Sequence, residues 1–482
     1  VYKLTGNVKM KYKSTRGGIE GISFKDAVMM GLAEDGGLLV PENIPAADID
    51  YLHECACESY EKLAFEIFKL FANDIEDDTL WNIVKKSYSN FDSREVVPVV
   101  HKDGIYVAEL FHGPTYAFKD IALQFLGNLF EYILKERSEK MNILGATSGD
   151  TGSAAIYGVK GKDNINIFIL HPSGKVSPVQ ELQMTTVKSE NVFNIAVKGS
   201  FDDCQAIVKQ LFSDLEFKSK HNLGAVNSIN WARILAQIVY YFYIYFQTND
   251  KQQNNDENLR FVVPTGNFGN ILAGYYARRM GLPIDKLVLA TNENNILHRL
   301  IDHGDYSIKD VVETYSPSMD IQLSSNLERY LYYLYEENSD ILDKKMKELS
   351  EARKINFTEE EVNKIRSVFL SHETSNDETI RTIRNFHINT GYILDPHTAC
   401  GVNAANNMMS NDNCIYVCLA TAHPAKFPEA VYKAIGEYPE KPKGISELNN
   451  LEKQSYVLNN NTDEVKSFVK NILEEGDKNA GR

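Results

Sequence analysis

Lys119 stands in the stretch HGPTYAFKDIALQ (112–124), between Phe118 and the apolar pair Ile121 and Ala122. Desolvation favours the neutral form of such an amine, which suits it to condense with a carbonyl compound as a Schiff base. The same spacing also serves a helix-surface lysine whose stem covers apolar neighbours. Three other segments carry unusual polar density. ATSGDTGSAA (146–155) packs Ser148, Asp150 and Thr151 between Gly149 and Gly152, where small residues let a backbone approach a ligand. PTGNFGN (264–270) spaces Gly266 and Gly269 as a concave nest of N–H groups for an anion would need, and as a plain tight turn would also allow. ATAHPAKFPE (420–429) offers the Thr421 hydroxyl, with His423 and Lys426 as either ligands or ordinary loop residues.

Each of these last three follows a short apolar run. NILGAT (142–147), NIFIL (166–170), VFNIAV (192–197), FVVPT (261–265), KLVLAT (286–291) and IYVCLAT (415–421) read as strands. Helical spacing falls between them, at 151–160, 176–187, 202–214, 231–247 and 269–280. Strand and helix in alternation predict an α/β fold with parallel sheets buried on both faces. Ligands of such sheets sit beyond the carboxyl ends of the strands, where the three loops lie. Residues 1–96 look like a helix-rich lead segment, and 305–380 like a charged helical excursion. The Asn/Gln-rich patches at 248–258 and 458–461 read as solvated loops.

The formal charge of −15 on 482 residues argues against nucleic acid or an anionic membrane as partner. Anionic small molecules must then be held by local devices, namely backbone N–H groups and a few placed cations. Hydrophobic residues at 43% allow a large core. The longest apolar run, 234–246, is too short for a membrane span and is expected as a buried helix. The six cysteines form no C-x-x-C pair and are expected as reduced, buried thiols, with no metal site. The start is polar and basic, without a secretory pattern, and the cytoplasm is the expected compartment.

Taken together, ELFHGPTYAFKDIALQ, GATSGDTGSAA, NSINWARILAQI, VPTGNFGNILAGYYARRMGLP, SPSMDIQLSSNLER, LDPHTACGV and LATAHPAKFPE resemble the threonine synthase family, in its longer fungal- and bacterial-type branch. The resemblance runs from STRGG near the start to about residue 435. It implies a pyridoxal-phosphate (PLP) enzyme of fold type II, with two parallel-sheet α/β domains and the cofactor between them. It implies a lead segment at 1–96, a large domain from 97–130 and 231–482, and a small domain at 131–230. By the same resemblance Lys119 carries the cofactor as a Schiff base, and Gly266, Asn267, Phe268 and Gly269 cradle its phosphate. Thr421 meets its ring nitrogen. Thr147, Ser148, Asp150 and Thr151 receive the substrate, and Asn227, Ser228 and Arg233 bind the substrate phosphate. Shorter-branch members have Asn where this chain has Asp150. The implied reaction turns O-phospho-L-homoserine and water into L-threonine and phosphate, in a monomer or small homo-oligomer. Two alternatives stand beside it: a threonine synthase-like phospho-lyase releasing 2-oxobutyrate and ammonia, and a non-catalytic binding protein.

Overall fold

The computed structural model describes residues 9–147, 149–250, 258–409 and 413–480. The chain divides into two compact units, Val1–Ala122 with Ser228–Pro439, and Leu123–Asn227 with Glu440–Arg482. In chain order, the lead segment holds helix α1 (Ile49–Glu58) and is followed by strands β1 (Val99–Lys102) and β2 (Ile105–Glu109). Helix α2 (Lys119–Arg137) opens the next stretch, with β3 (Met141–Ala146), α3 (Asp150–Val159), β4 (Ile165–Pro172), β5 (Val192–Lys198) and β6 (Leu223–Gly224). Then come α4 (Trp231–Asp250), β7 (Leu259–Pro264), α5 (Gly269–Arg279), β8 (Leu287–Thr291) and β9 (Phe369–Glu373). The last elements used below are α6 (Pro396–Met409), β10 (Ile415–Ala420), β11 (Tyr456–Asn459) and α7 (Thr462–Ala480).

The first unit is built on a six-stranded sheet in the order β9-β8-β7-β10-β2-β1. All neighbours run parallel except the edge strand β1, which is antiparallel to β2. Every residue of β8 and β10 is buried, as expected of parallel strands covered on both faces. Val262, Val288, Cys418 and Ala420 pack with Ala399, Val402 and Ala405 of α6 in one apolar cluster. The lead segment belongs to this unit rather than standing apart: Trp231 Nε1 donates to Tyr12 Oη (3.1 Å), which donates to Phe71 O (2.9 Å).

The second unit is a five-stranded, wholly parallel sheet in the order β11-β5-β4-β3-β6. Here the domain expectation needs correction. Residues 440–482, assigned above to the large domain, belong to this unit. β11 pairs with β5, so the Asn-rich patch at 458–461 starts inside an edge strand. Val465, Val469 and Leu473 of α7, four residues apart, join Leu144, Phe168, Leu170 and Ile195 in its core. Two more expectations shift. Residues 248–250 are the last of α4, while 251–257 lie outside the described residues. The 305–380 excursion is mostly helical but returns a strand, β9, to the first sheet.

The apolar run 234–246 is inside α4. Among the described residues no helix is long and apolar enough to cross a membrane. All six thiols are free, yet Cys57 is exposed and Cys414 half-buried, against the expectation of burial. Two residues along a helix turn a side chain by about 200°, so Cys55 faces inward and Cys57 outward.

Candidate active site

Three neighbouring parallel strands of the first unit set the site. Cys418 is paired with Val262, and Ala420 with Glu109, so β7, β10 and β2 end at one edge and on one level. Adjacent strands lie about 4.8 Å apart, so the loops they release start side by side. Chain direction reverses here: β7 is followed by β8 on one side, and β10 later inserts on the other, the arrangement that opens a ligand crevice.

The loops after β2 and β10 are stitched together. Phe118 N–H donates to Thr421 O (2.9 Å), His423 N–H donates to Tyr116 O (3.0 Å), and Ala117 bridges Ala422. Lys119 and Thr421 are thereby delivered next to each other. Lys119 is the first residue of α2 and half-buried, its Nζ 5.3 Å from the centroid of the Phe118 ring. Thr421 is buried, its N–H donating to Thr398 Oγ1 (3.2 Å). Thr398 donates in turn to Asp395, which also accepts from His397 Nδ1 (2.9 Å). His397 Nε2 accepts from Ser318 N–H (3.2 Å), so its proton sits on Nδ1.

The turn that presents Lys119 rests on a buried charge pair. Asp120 accepts from Thr115 N–H (2.8 Å) and Oγ1 (2.7 Å), and Lys426 Nζ donates to Thr115 O (2.6 Å). Both charged side chains are fully buried. Gly113 is required, since a Cβ there would lie 2.4 Å from Asp120 Cβ. Lys426 therefore braces the fold and is not placed as a ligand. His423 is likewise local: its Nδ1 accepts from Ala425 N–H (3.1 Å), and burial pushes its pKa down to about 4, leaving it neutral.

Burial lifts the Asp120 carboxyl to about 6, against the pull of the Thr115 hydrogen bonds and the Lys426 charge. The folded state then holds this proton more tightly than the unfolded one. Its stabilising contribution is complete below about pH 4 and lost as pH rises through about 6, roughly 3 kcal/mol in all. Urea unfolding across that window should show the wild type losing stability relative to Asp120→Asn as pH rises. A pH-independent difference would show that the carboxyl is not lifted.

The glycine loop follows β7 and opens α5. Phe268 takes the left-handed conformation (φ 63°) and buries its ring against Tyr330 and Phe369. Its side chain does not cap the helix, which leaves the first-turn N–H groups to the loop's concave side. Gly266 has little room for a side chain: a Cβ would press on Ile321 Cδ1 at 3.0 Å and Ser318 O at 3.1 Å. Residues the sequence reading passed over hold this loop. Ser324 Oγ donates to Gly266 O (2.6 Å), Ser325 Oγ to Asn267 Oδ1 (3.2 Å), and Asn326 N–H to Asn267 O (3.1 Å). Asn326 Nδ2 also reaches Ser228 O (3.0 Å), and the Ser228 and Ser325 hydroxyls are 2.9 Å apart. The fully buried Arg329 fastens Asn326 Oδ1 (2.6 Å) to Ile229 O (2.6 Å). The only trace of this in the sequence was SSNLER, a small polar cluster inside the charged excursion.

Arg233 lies in the first turn of α4. Asn230 caps that turn, its Oδ1 accepting from Ala232 N–H (3.0 Å). The guanidinium is buried, and desolvation pushes its pKa down to about 10, so it remains charged at neutral pH.

In the second unit, Thr147 Oγ1 accepts from the N–H groups of Gly149 (3.1 Å) and Gly152 (3.0 Å). Asp150, buried at the start of α3, accepts from Gln180 Nε2 (2.7 Å), a partner the sequence did not reveal. Thr151 is half-buried beside it, and Ser148 lies outside the described residues. Asn227, half-buried, is the last residue of this unit's first segment. The predicted site residues are thus divided. Lys119, Gly266, Asn267, Phe268, Gly269, Thr421, Ser228 and Arg233 belong to the first unit, and Thr147, Asp150, Thr151 and Asn227 to the second.

Comparison with known proteins matches residues 11–88 to the family model "Threonine synthase N terminus", 96–363 to "Pyridoxal-phosphate dependent enzyme" and 398–469 to "Threonine synthase, C-terminal". A threonine synthase of Schizosaccharomyces pombe is 47% identical over 467 residues, covering 90% of each chain. This chain belongs to the threonine synthase family. Solved threonine synthases have the same fold. The yeast protein superposes with a TM-score of 0.92 at 44% identity, over 98% of this chain and 100% of that one. A PLP-bound threonine synthase from Brucella melitensis also gives 0.92, at 42% identity over 96% and 99%. The fold is that of the type II PLP-dependent enzymes.

The first unit suits the cofactor of this threonine synthase family. An uncapped helix start behind a glycine turn fits a phosphate, a half-buried lysine fits an aldehyde, and a buried threonine fits a neutral ring nitrogen.

Proposed function

We propose that this chain converts O-phospho-L-homoserine and water into L-threonine and phosphate. The observation that carries this reading is the delivery of Lys119 and Thr421 by stitched neighbouring loops, beside a glycine loop and a buried Arg233 in one unit. Lys119 holds the cofactor covalently, and Gly266, Asn267, Phe268 and Gly269 bind its phosphate. When bound, pyridoxal phosphate supplies an electron sink for negative charge at the substrate Cα. Lys119, released by the incoming substrate amine, removes protons from the substrate at Cα and then Cβ. Arg233, with Asn227 and Ser228, grips the substrate phosphate through charge-assisted bonds and stabilises it as it leaves Cγ. Protons returned by Lys119 to Cγ and to Cα, with the hydroxyl of water added at Cβ, complete threonine, and the water's remaining proton leaves with the phosphate. Thr147, Ser148, Asp150 and Thr151 orient the substrate. A neutral Thr421 leaves the ring nitrogen largely unprotonated, which favours elimination over transamination. Six free thiols accord with a reducing compartment, and we place the reaction in the cytoplasm.

The test is product analysis. The purified protein with PLP and O-phospho-L-homoserine should release threonine and phosphate in equal amounts. Phosphate with 2-oxobutyrate and ammonia would make it a phospho-lyase, and no turnover would overturn both.

Gly266→Ala should weaken cofactor binding without changing its lysine. The added methyl meets backbone at Ser318 and Met319, which cannot swing away as a side-chain tip could. Overpacking of this kind costs about 1–3 kcal/mol, or roughly 5- to 150-fold in PLP affinity. Titration of the apoprotein with PLP, followed by absorbance, reads it directly.

A further inference from the structure

We propose that His53, Cys57 and Asp250 form a binding site for a divalent transition-metal ion of the zinc class. One ligand atom from each residue lies within 4.8 Å of the other two. His53 and Cys57 are four residues apart on α1 and so share a face. Asp250 ends α4, 197 residues later in the chain, which is why no sequence spacing announces the set.

The imidazole is already oriented. Its ring stacks on Phe246 at 4.9 Å and 28°, and its Nε2 is 3.0 Å and 3.1 Å from the two Asp250 carboxylate oxygens. Phe246 and Asp250 are themselves one helical turn apart, so each helix contributes one i, i+4 pair to the contact. The donors are one nitrogen, one sulfur and one oxygen. Calcium and magnesium prefer all-oxygen shells, whereas zinc and its neighbours accept this mixture. A thiolate, a carboxylate and a neutral imidazole balance a charge of +2. Three protein ligands leave a fourth tetrahedral position for water. Bonds of about 2.0–2.3 Å place tetrahedral ligands roughly 3.3–3.7 Å apart, so the present separations close by at most about 1.5 Å, within reach of side-chain rotation. The site is open to solvent, with 39% of the His53 and 51% of the Asp250 side chain exposed. Helix α1 adds Asp50, Glu54 and Glu58 and no Lys or Arg, so it brings no repelling charge to a cation. The ion would tie α1 to the far end of the helix whose first turn carries Arg233.

The test uses the PLP-loaded full chain, stripped with a chelator and titrated with Zn²⁺ and with Co²⁺. One equivalent should bind. The difference spectrum between wild type and Cys57→Ser should contain the thiolate-to-cobalt band. His53→Ala and Asp250→Asn should each bind at least ~10-fold more weakly. Zn²⁺ should raise the unfolding temperature of the wild type by more than that of any of the three variants. Binding should tighten from about pH 6 to about pH 8, because ligation displaces protons. None of the three residues serves the reaction, so turnover of the stripped variants should match that of the stripped wild type. Identical cobalt spectra in wild type and Cys57→Ser, or equal zinc shifts in all four proteins, would overturn the site.

Discussion

Lys119→Ala should lose at least ~10⁴-fold in turnover while still folding. Positioned proton transfers contribute roughly 10²–10⁴-fold each, and this one amine is assigned several of them in addition to the covalent hold on the cofactor. Folding should survive because Lys119 is half-buried at a helix start, and the neighbouring turn is held by others, through Asp120, Thr115 and Lys426. The variant should keep PLP non-covalently through the glycine loop, with an altered visible spectrum. Borohydride reduction of the wild type, followed by peptide mass analysis, should place the cofactor on the peptide that contains Lys119. A label on any other lysine, or undiminished turnover in the variant, would remove the assigned mechanism.

Arg233→Ala should separate substrate binding from cofactor binding. The guanidinium is buried in a protein of net charge −15 and is still charged at neutral pH, so its removal deletes a prearranged cation. Hydrogen bonds to charged groups contribute about 1.5–3 kcal/mol each, so a bidentate grip predicts a loss of roughly 10²–10⁴-fold in kcat/KM. PLP absorbance should persist. Inhibition by inorganic phosphate should weaken in parallel, a readout that mere loosening of α4 would not give. Arg233→Lys should recover only part of the loss, since an ammonium keeps the charge and forfeits the planar fork. Unchanged phosphate inhibition in Arg233→Ala would place the substrate phosphate elsewhere.

The two proposed anion sites differ in how legible they were. The glycine loop could be suspected from PTGNFGN because a backbone cradle needs residues without side chains, and glycine is visible in any sequence. What braces that loop was not visible. Ser324, Ser325, Asn326 and Arg329 lie some 60 residues further on, in a stretch that carries a family string but whose own pattern reads only as a charged helical excursion. The LDPHT turn was read as a family string, yet Asp395, His397 and Thr398 join the Thr421 backbone to the Ser318 turn that covers Gly266. Gln180 meets Asp150 from 30 residues away.

Local chemistry is short-range, and so the chain alone determined its alternating strands and helices, the sign of its charge and the loops rich in ligand-binding residue types. The buried strands β7, β8 and β10 announced themselves because a strand covered on both faces is continuously apolar. Edge strands such as β9 and β11 did not: β9 is mostly half-buried and was hidden in the helical excursion, and β11 alternates half-buried with exposed residues and reads as loop. Only the tertiary structure decided the strand order that lands Lys119 beside Thr421, and the return of the tail to the second sheet. It also decided that Lys426 is a brace and Cys57 a surface thiol. Those outcomes depend on pairing between segments far apart in the chain. That pairing is selected by the burial of whole faces, and a list of residues does not contain it.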